Sequence, residues 1–249
     1  IKKEKIFTDK LHTLAYGTDA SFYRLIPKIV IKTDNAKEVQ DIIELSNSMN
    51  LSITFRAAGT SLSGQAISDS ILIVTSRNFS NFKIAPDASF ISLQPALTGA
   101  QVNGLLAKYS KKIGPDPASI NAAMIGGIAA NNASGMCCGI SQNSYKTLKS
   151  MKLIFADGAK LDTGCQESKD AFRKTHGDFL KELKNFSNDT KNNEELRAKI
   201  ERKFKIKNTC GYSLNALIDF EDEFEILEHL IIGSEGTLAF IEEITYYTV

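Results

Sequence analysis

The spacing of apolar positions changes several times along the chain, and each change marks an element. Ile29-Val30-Ile31-Lys32 is a β-branched run of strand type. Asn35, with Glu38 three residues later, then sets a capping box for a helix through Met49, with Val39, Ile42, Ile43 and Met49 on its apolar face. Ser52 to Arg56 returns to strand composition, and Ile71 to Thr75 supplies a further strand. Strand, helix, strand in that order predicts a parallel, right-handed βαβ unit. The residues after Arg56 therefore fall at the carboxyl end of a strand, where open α/β sheets receive ligands.

Near residue 78 this first lobe ends and a different pattern begins. Phe90 to Gln94 predicts a strand stopped by Pro95, and Thr98 to Tyr109 a helix with Val102, Leu105, Leu106 and Tyr109 on one side. Met151 to Ala156 and Ala159 to Asp162 flank Asp157-Gly158, the signal of an antiparallel hairpin whose turn takes positive φ values. Residues 166–207 are rich in Lys, Glu, Asp and Asn and contain no proline, which predicts solvated helices set on the second lobe. The expected fold class is α+β with two lobes: an N-terminal extension (1–21), a small βαβ lobe (22–78), and a larger lobe with a mixed or antiparallel sheet and helices (79–249).

Composition narrows the chemistry. With 249 residues and 43% hydrophobic content the chain can bury one large core or two moderate ones. Thirty basic against 29 acidic residues leave a net charge of +1, so no bulk field exists for nucleic acid or an anionic membrane. The longest apolar runs, Ile71 to Val74 and Ala122 to Ala130, fall far short of the roughly 20 residues of a membrane span. Cys137, Cys138, Cys165 and Cys210 form no C-x-x-C, which points to a reduced, cytoplasmic setting, with Cys137 and Cys138 expected as two buried thiols. His12, His176 and His229 match no metal spacing and read as surface or helix-face residues, so no metal is expected. The chain opens at Ile1 without a Met and is expected to be an excised piece of a longer protein.

Candidate chemistry lies in four glycine-bearing loops. Arg56-Ala57-Ala58-Gly59-Thr60-Ser61-Leu62-Ser63-Gly64 follows a strand and lets successive N–H groups converge on one anion, with Thr60, Ser61 and Ser63 as added donors. It is no P-loop, since Gln65 and Ala66 stand where Lys and Ser/Thr would be needed, and no G-x-G-x-x-G occurs in the chain. By itself it reads equally as a surface turn. Gly114-Pro115-Asp116-Pro117-Ala118-Ser119 is a rigid, kinked loop. Gly126-Gly127-Ile128-Ala129-Ala130-Asn131-Asn132-Ala133-Ser134-Gly135 reads either as a wall that a flat ligand approaches closely or as tight helix packing. Ile232-Gly233-Ser234-Glu235-Gly236-Thr237-Leu238 repeats the glycine and hydroxyl theme before a run of strand composition. A single extended dinucleotide touching all four loops accounts for them together.

As an ordered set, R-A-A-G-T-S-L-S-G, G-P-D-P-A-S, G-G-x-A-x-N-x-x-S-G and G-S-E-G-T-L resemble the p-cresol methylhydroxylase-type FAD-binding domain. Tyr16-Gly17-Thr18-Asp19-Ala20-Ser21 before Pro27, and Lys207-Asn208-Thr209-Cys210-Gly211-Tyr212, are similar to the FAD-linked D-lactate dehydrogenase and glycolate oxidase branch. The resemblance runs from about Tyr16 to Thr248. It implies FAD bound by Arg56 to Gly64, Pro115 to Ser119, Gly126, Gly127, Asn131, Ser134, Gly135, Glu235 and Gly236. Thr60 stands where some relatives carry a flavin-attaching His, which implies a non-covalent FAD. It further implies hydride transfer from a D-2-hydroxy acid to FAD, and an electron acceptor or iron–sulfur segment as partner. The C-terminal substrate domain, with the catalytic residues, is expected to lie outside these residues, so none is assigned here. The implied location is cytoplasmic or peripheral to the inner membrane through a partner. The alternatives are another substrate class (a phenol, an ether lipid precursor, an enolpyruvyl sugar), an electron-transfer subunit without its own substrate site, or a non-enzymatic nucleotide-binding module.

Overall fold

The computed structural model describes residues 1–249, and its strands form one sheet of four and one of five. The first sheet holds β1 (Ile6–Phe7), β2 (Ile29–Thr33), β3 (Ile53–Arg56) and β4 (Ile71–Thr75) in the order β1-β2-β4-β3. β1 lies antiparallel to β2, so residues 1–21 contribute an edge strand, while β4 pairs parallel with both β2 and β3. The predicted βαβ unit is corrected in one respect: β2 and β3 do not touch each other. β4, with Leu72 and Ile73 fully buried, is the most apolar strand and takes the place between them, where both faces and both edges are covered.

β5 (Phe82–Ile84), β6 (Phe90–Leu93), β7 (Leu148–Phe155), β8 (Lys160–Asp162) and β9 (Ala239–Tyr247) make the second sheet, ordered β5-β6-β9-β7-β8 with every pairing antiparallel. The hairpin at Asp157-Gly158 forms, but only Gly158 takes a positive φ, +85°. Its N–H donates to Phe155 O (3.0 Å), and Phe155 N–H donates to Ala159 O (2.9 Å). This is a three-residue connection ending in one left-handed residue, which spares Asp157 the strain of a second.

Nine helices complete the fold: α1 (Lys10–Ala15), α2 (Ala36–Ser48), α3 (Gly99–Leu106), α4 (Ile125–Ala130), α5 (Ser144–Thr147), α6 (Gln166–Asn192), α7 (Glu194–Phe204), α8 (Ala216–Asp219) and α9 (Glu223–Ile231). α2 joins the lobes. Its Val39 and Ile43 pack with Phe79, Ala96, Ile154 and Phe240 of the second lobe, and Ile42 packs with Ile31 and Ile73 of the first. Gln40 Nε2 donates to Gly158 O at 3.1 Å, and Asn47 donates to Ala156 O. Seven residues apart and so on one face of α2, the two amides fasten the helix to the hairpin after β7.

Three local expectations need correction. Asn35 Oδ1 caps α2 by accepting Glu38 N–H (3.0 Å), but the Glu38 carboxylate reaches past Asn35 to the Asp34 N–H and Lys5, so the box is half formed. Met49 is 58% exposed because α2 ends one residue earlier and its apolar stripe ends with it. Tyr109 is likewise exposed, since the chain tightens into a 3₁₀ turn at Ala107–Tyr109 and rotates it off the α3 stripe. Of the adjacent thiols, Cys138 is buried and Cys137 exposed.

A core of 26 buried residues fills the second lobe, from Val102 of α3 and Ile125 of α4 to Phe224 of α9 and Tyr246 of β9. α9 buries two titratable groups. Burial pushes His229 down to about 4 and Glu228 up to about 7. The unfolded chain protonates His229 near 6.5, so its share of stability is lost as pH falls from there toward 4. Glu228 acts oppositely, losing stability as pH rises from 4.5 toward 7. In a Glu228→Gln variant one of the two opposing carboxyls is gone, and urea unfolding is expected to show stability falling as pH drops from 6.5 toward 4, by at most about 1.4 kcal/mol per pH unit and less where the raised Glu235 carboxyl offsets it. A flat profile there would contradict the burial of a neutral imidazole.

Candidate functional site

Between the two sheets lies a cleft of about 630 Å³ lined by 33 residues. One wall is the loop leaving β3, Arg56 through Ser63 with Gln65 and Ala66, beside Thr75 at the end of β4. Two neighbouring parallel strands thus deliver their carboxyl ends to it. A second wall combines Gly126 and Gly127 of α4 with Asn131, Ser134, Pro117 and Ser119. Glu235, Gly236 and the start of β9 close the third side, and Lys207, Thr209, Cys210 and Gly211 contribute a fourth segment.

The β3 loop presents unspent donors. No main-chain N–H from Ala58 to Leu62 has a partner within the protein. Gly59 sits at φ +71°, which turns consecutive N–H groups toward one side. Unpaired N–H groups in such a run are donors of the kind that anion sites use. The expected role of the Ser61 hydroxyl changes: it bonds Gln65 Oε1 and accepts the N–H groups of Ser63 (3.3 Å) and Gln65 (3.4 Å), so it shapes the turn. Arg56 also turns away from the opening, donating from Nη1 to the carbonyls of Tyr16, Thr18 and Ala66.

The two glycines of the Gly126-Gly127 pair differ in their surroundings. A Cβ on Gly126 would lie 2.8 Å from Pro95 Cβ, the mark of tight packing, whereas on Gly127 its nearest neighbour is Ala57 Cβ at 3.5 Å across the cleft. A polar bridge spans the walls above them. Glu235 Oε1 accepts from Asn131 Nδ2 (2.5 Å) and, more weakly, from Gln65 Nε2 (3.5 Å). Burial pushes the Glu235 carboxyl up while these two donors hold it back. The residue occupies a left-handed conformation, φ +55°, held by its N–H bond to Ala130 O (2.8 Å).

Five expected site residues lie outside the lining: Gly64, Pro115, Asp116, Ala118 and Gly135. Gly64 closes the β3 loop against Tyr23, whose ring would be 3.1 Å from a Cβ there. Asp116 spends its carboxylate on the N–H groups of Gly135 (2.8 Å), Cys137 (3.1 Å) and Cys138 (3.2 Å), so it ties two loops together behind the cleft. Gly135 is its counterpart in that contact; Pro115 is buried in the same loop, and Ala118 faces solvent. Conversely, Phe55, Gln65, Thr75, Met124, Phe240 and the 207–211 segment line the cleft without having been singled out as site residues. The signal for Lys207 to Gly211 was present in the sequence motif they belong to. Phe55 and Phe240, with ring centroids 5.0 Å apart, meet only because the two sheets face each other.

A family model described as "FAD binding domain" matches residues 27–164. The chain belongs to this family. The FAD-binding domain is similar to D-2-hydroxyglutarate dehydrogenase of Haemophilus influenzae, 26% identical over 247 residues, covering 96% of this chain and 24% of that relative. It is similar also to glycolate oxidase subunit GlcD of Escherichia coli, 29% identical over 161 residues, covering 62% of this chain and 32% of GlcD. Among solved structures, alkyldihydroxyacetonephosphate synthase superposes with a TM-score of 0.64 at 16% identity, over 100% of this chain and 38% of that one, a likeness of fold. The chain therefore spans about a quarter to a third of the length of these curated relatives. No helix of the domain is long and apolar enough to cross a membrane.

Proposed function

We propose that this domain holds FAD non-covalently and forms part of an oxidoreductase that converts a D-2-hydroxy acid, of the D-lactate or glycolate type, to the 2-oxo acid. The observation that carries the reading is the row of unpartnered N–H groups from Ala58 to Leu62, opening on a cleft to which all four glycine-bearing segments contribute. Its walls fit the cofactor: a cradle of unpaired main-chain N–H donors suits a diphosphate, and Gly127 and Gly236 add no side chain of their own to the cleft. When bound, FAD supplies the hydride acceptor for the substrate Cα–H.

The chain's own residues bind and orient. Ala58 to Leu62 receive the diphosphate, Gly127, Pro117 and Ser119 border the groove, and the Glu235–Asn131–Gln65 bridge fixes the third wall against the first. Glu235 is the only carboxylate in the lining; burial raises its proton affinity, but its Oε1 is already taken by Asn131 and Gln65, which makes it a bridge between walls rather than a base. The base for the hydroxyl proton is therefore assigned to a part of the enzyme beyond these residues, with a cytoplasmic location and an electron acceptor or iron–sulfur partner completing the reading. Support comes from the family match and from hydroxy-acid dehydrogenases and oxidases among its relatives.

Two measurements test it. Acid precipitation of the purified yellow protein is expected to leave all flavin in the supernatant, because Thr60 offers no nitrogen nucleophile and no histidine lines the cleft. A coloured pellet would refute non-covalent binding and direct attention to Cys210. Anaerobic mixing of the complete polypeptide with D-lactate, glycolate and D-2-hydroxyglutarate should bleach the flavin for at least one of them, and L-isomers should not. Bleaching only by a partner protein would make it an electron-transfer subunit instead.

A further inference from the structure

Arg56 is a half-buried cation with no carboxylate in direct contact. No carboxylate lies within 4.0 Å of its guanidinium. Asp19, the charge that most favours its protonated form, spends its oxygens on the N–H groups of Ser21 (2.8 Å) and Ala66 (3.4 Å). The guanidinium is instead held by three carbonyls, Thr18 O at 2.8 Å and Tyr16 O and Ala66 O at 3.3 Å, and lies 5.5 Å from the centroid of the Tyr16 ring. Carbonyl dipoles hold such a charge in place without neutralising it, and an unneutralised buried charge is costly.

Its remaining face abuts the anion cradle. A Cβ on Gly59 would be 2.5 Å from Nη2 and 2.8 Å from Nε and Cζ, so the guanidinium lies directly against the Gly59 main chain. Gly59 is also the central turn of the unpaired N–H run. Lys207, the other cation in the lining, bonds Ser134 O on the α4 side. From this geometry we infer that Arg56 is the counter-charge of the FAD diphosphate, a positioning residue that acts through the Gly59 backbone and never touches the phosphates. The inference rests on the FAD reading above. It explains how a loop without any exposed basic side chain holds a dianion: the charge sits beneath the loop, half-buried at the edge of the cleft, where its attraction exceeds that of an exposed lysine and still responds to salt.

The test separates charge from shape. Flavin-free protein is titrated with FAD, ADP and adenosine at about 20 mM and about 300 mM salt, with circular dichroism as a check of folding. For the natural protein, ADP affinity is expected to fall with salt. In Arg56→Met, FAD and ADP should weaken by more than about 10-fold at low salt with the salt dependence flattened, while adenosine stays within about twofold. Arg56→Lys should keep the salt dependence. A folded Arg56→Met that binds ADP as the natural protein does, or that loses adenosine equally, overturns the inference and leaves the FAD reading intact. Should Arg56→Met not fold, Arg56→Lys decides: a retained salt dependence supports the inference and a lost one overturns it. Natural protein that binds neither FAD nor ADP overturns both.

Discussion

Replacing Gly59 with alanine is expected to yield a folded but colourless protein. Two independent effects meet at this residue. Its φ of +71° is a region where an L side chain costs about 1–2 kcal/mol. The added Cβ would also stand 2.5 Å from Arg56 Nη2, and that guanidinium is pinned by three carbonyls. The loop must therefore open, and the N–H groups from Ala58 to Leu62 lose their common focus. FAD affinity should drop by about 100-fold, near 2.7 kcal/mol, whereas the unfolding midpoint of the flavin-free protein should shift by only a few degrees, about what 1–2 kcal/mol produces. Flavin absorbance after purification and titration with FAD check this directly. A Gly59→Ala protein that copurifies with a full equivalent of FAD would remove the cradle from the binding site.

Gly135→Ala should give the opposite balance, a large loss of stability with a smaller effect on flavin affinity in the folded fraction. Here the added Cβ would lie 2.0 Å from Asp116 O and 2.7 Å from Asp116 Oδ1. The obstructing atom belongs to the main chain, and Pro115 and Pro117 on either side leave it little freedom to move. The Gly135 N–H bond to Asp116 Oδ1 would be strained at the same time, with the Cys137 and Cys138 bonds beside it. Overpacking of this kind costs about 3 kcal/mol or more, read from urea unfolding without flavin. A variant as stable as the natural protein would mean that the two loops are not docked on each other. Together the two alanine variants distinguish a glycine that shapes a ligand site from one that locks its support.

The same contrast divides what could be read from the chain. The strands at Ile29, Ser52 and Ile71, the capped helix after Asn35, the charged helices across 166–207 and the hairpin at Asp157-Gly158 were all legible, because each depends on residues adjacent in sequence. Register and order within the sheets were not: β4 enters between β2 and β3 as the strand apolar on both faces, and β9 reaches the centre of the second sheet by pairing with β6 and β7, strands far from it in sequence. Met49 and Tyr109 strayed from their predicted faces because a helix end one residue earlier, or one tightened turn, rotates a side chain out of an apolar stripe.

For the cleft, the sequence by itself determined the four glycine-bearing segments and hence the class of ligand, since main-chain recognition leaves its trace as glycine and small residues. Only the tertiary structure decided the use of each member. Arg56 turns beneath its loop, Ser61 braces the turn, Asp116 and Gly135 lock to each other behind the wall, and Phe55 meets Phe240 across the lobes. The physical reason is that glycine announces where a backbone can bend, whereas the direction of a charged or aromatic side chain is settled by partners tens to hundreds of positions away.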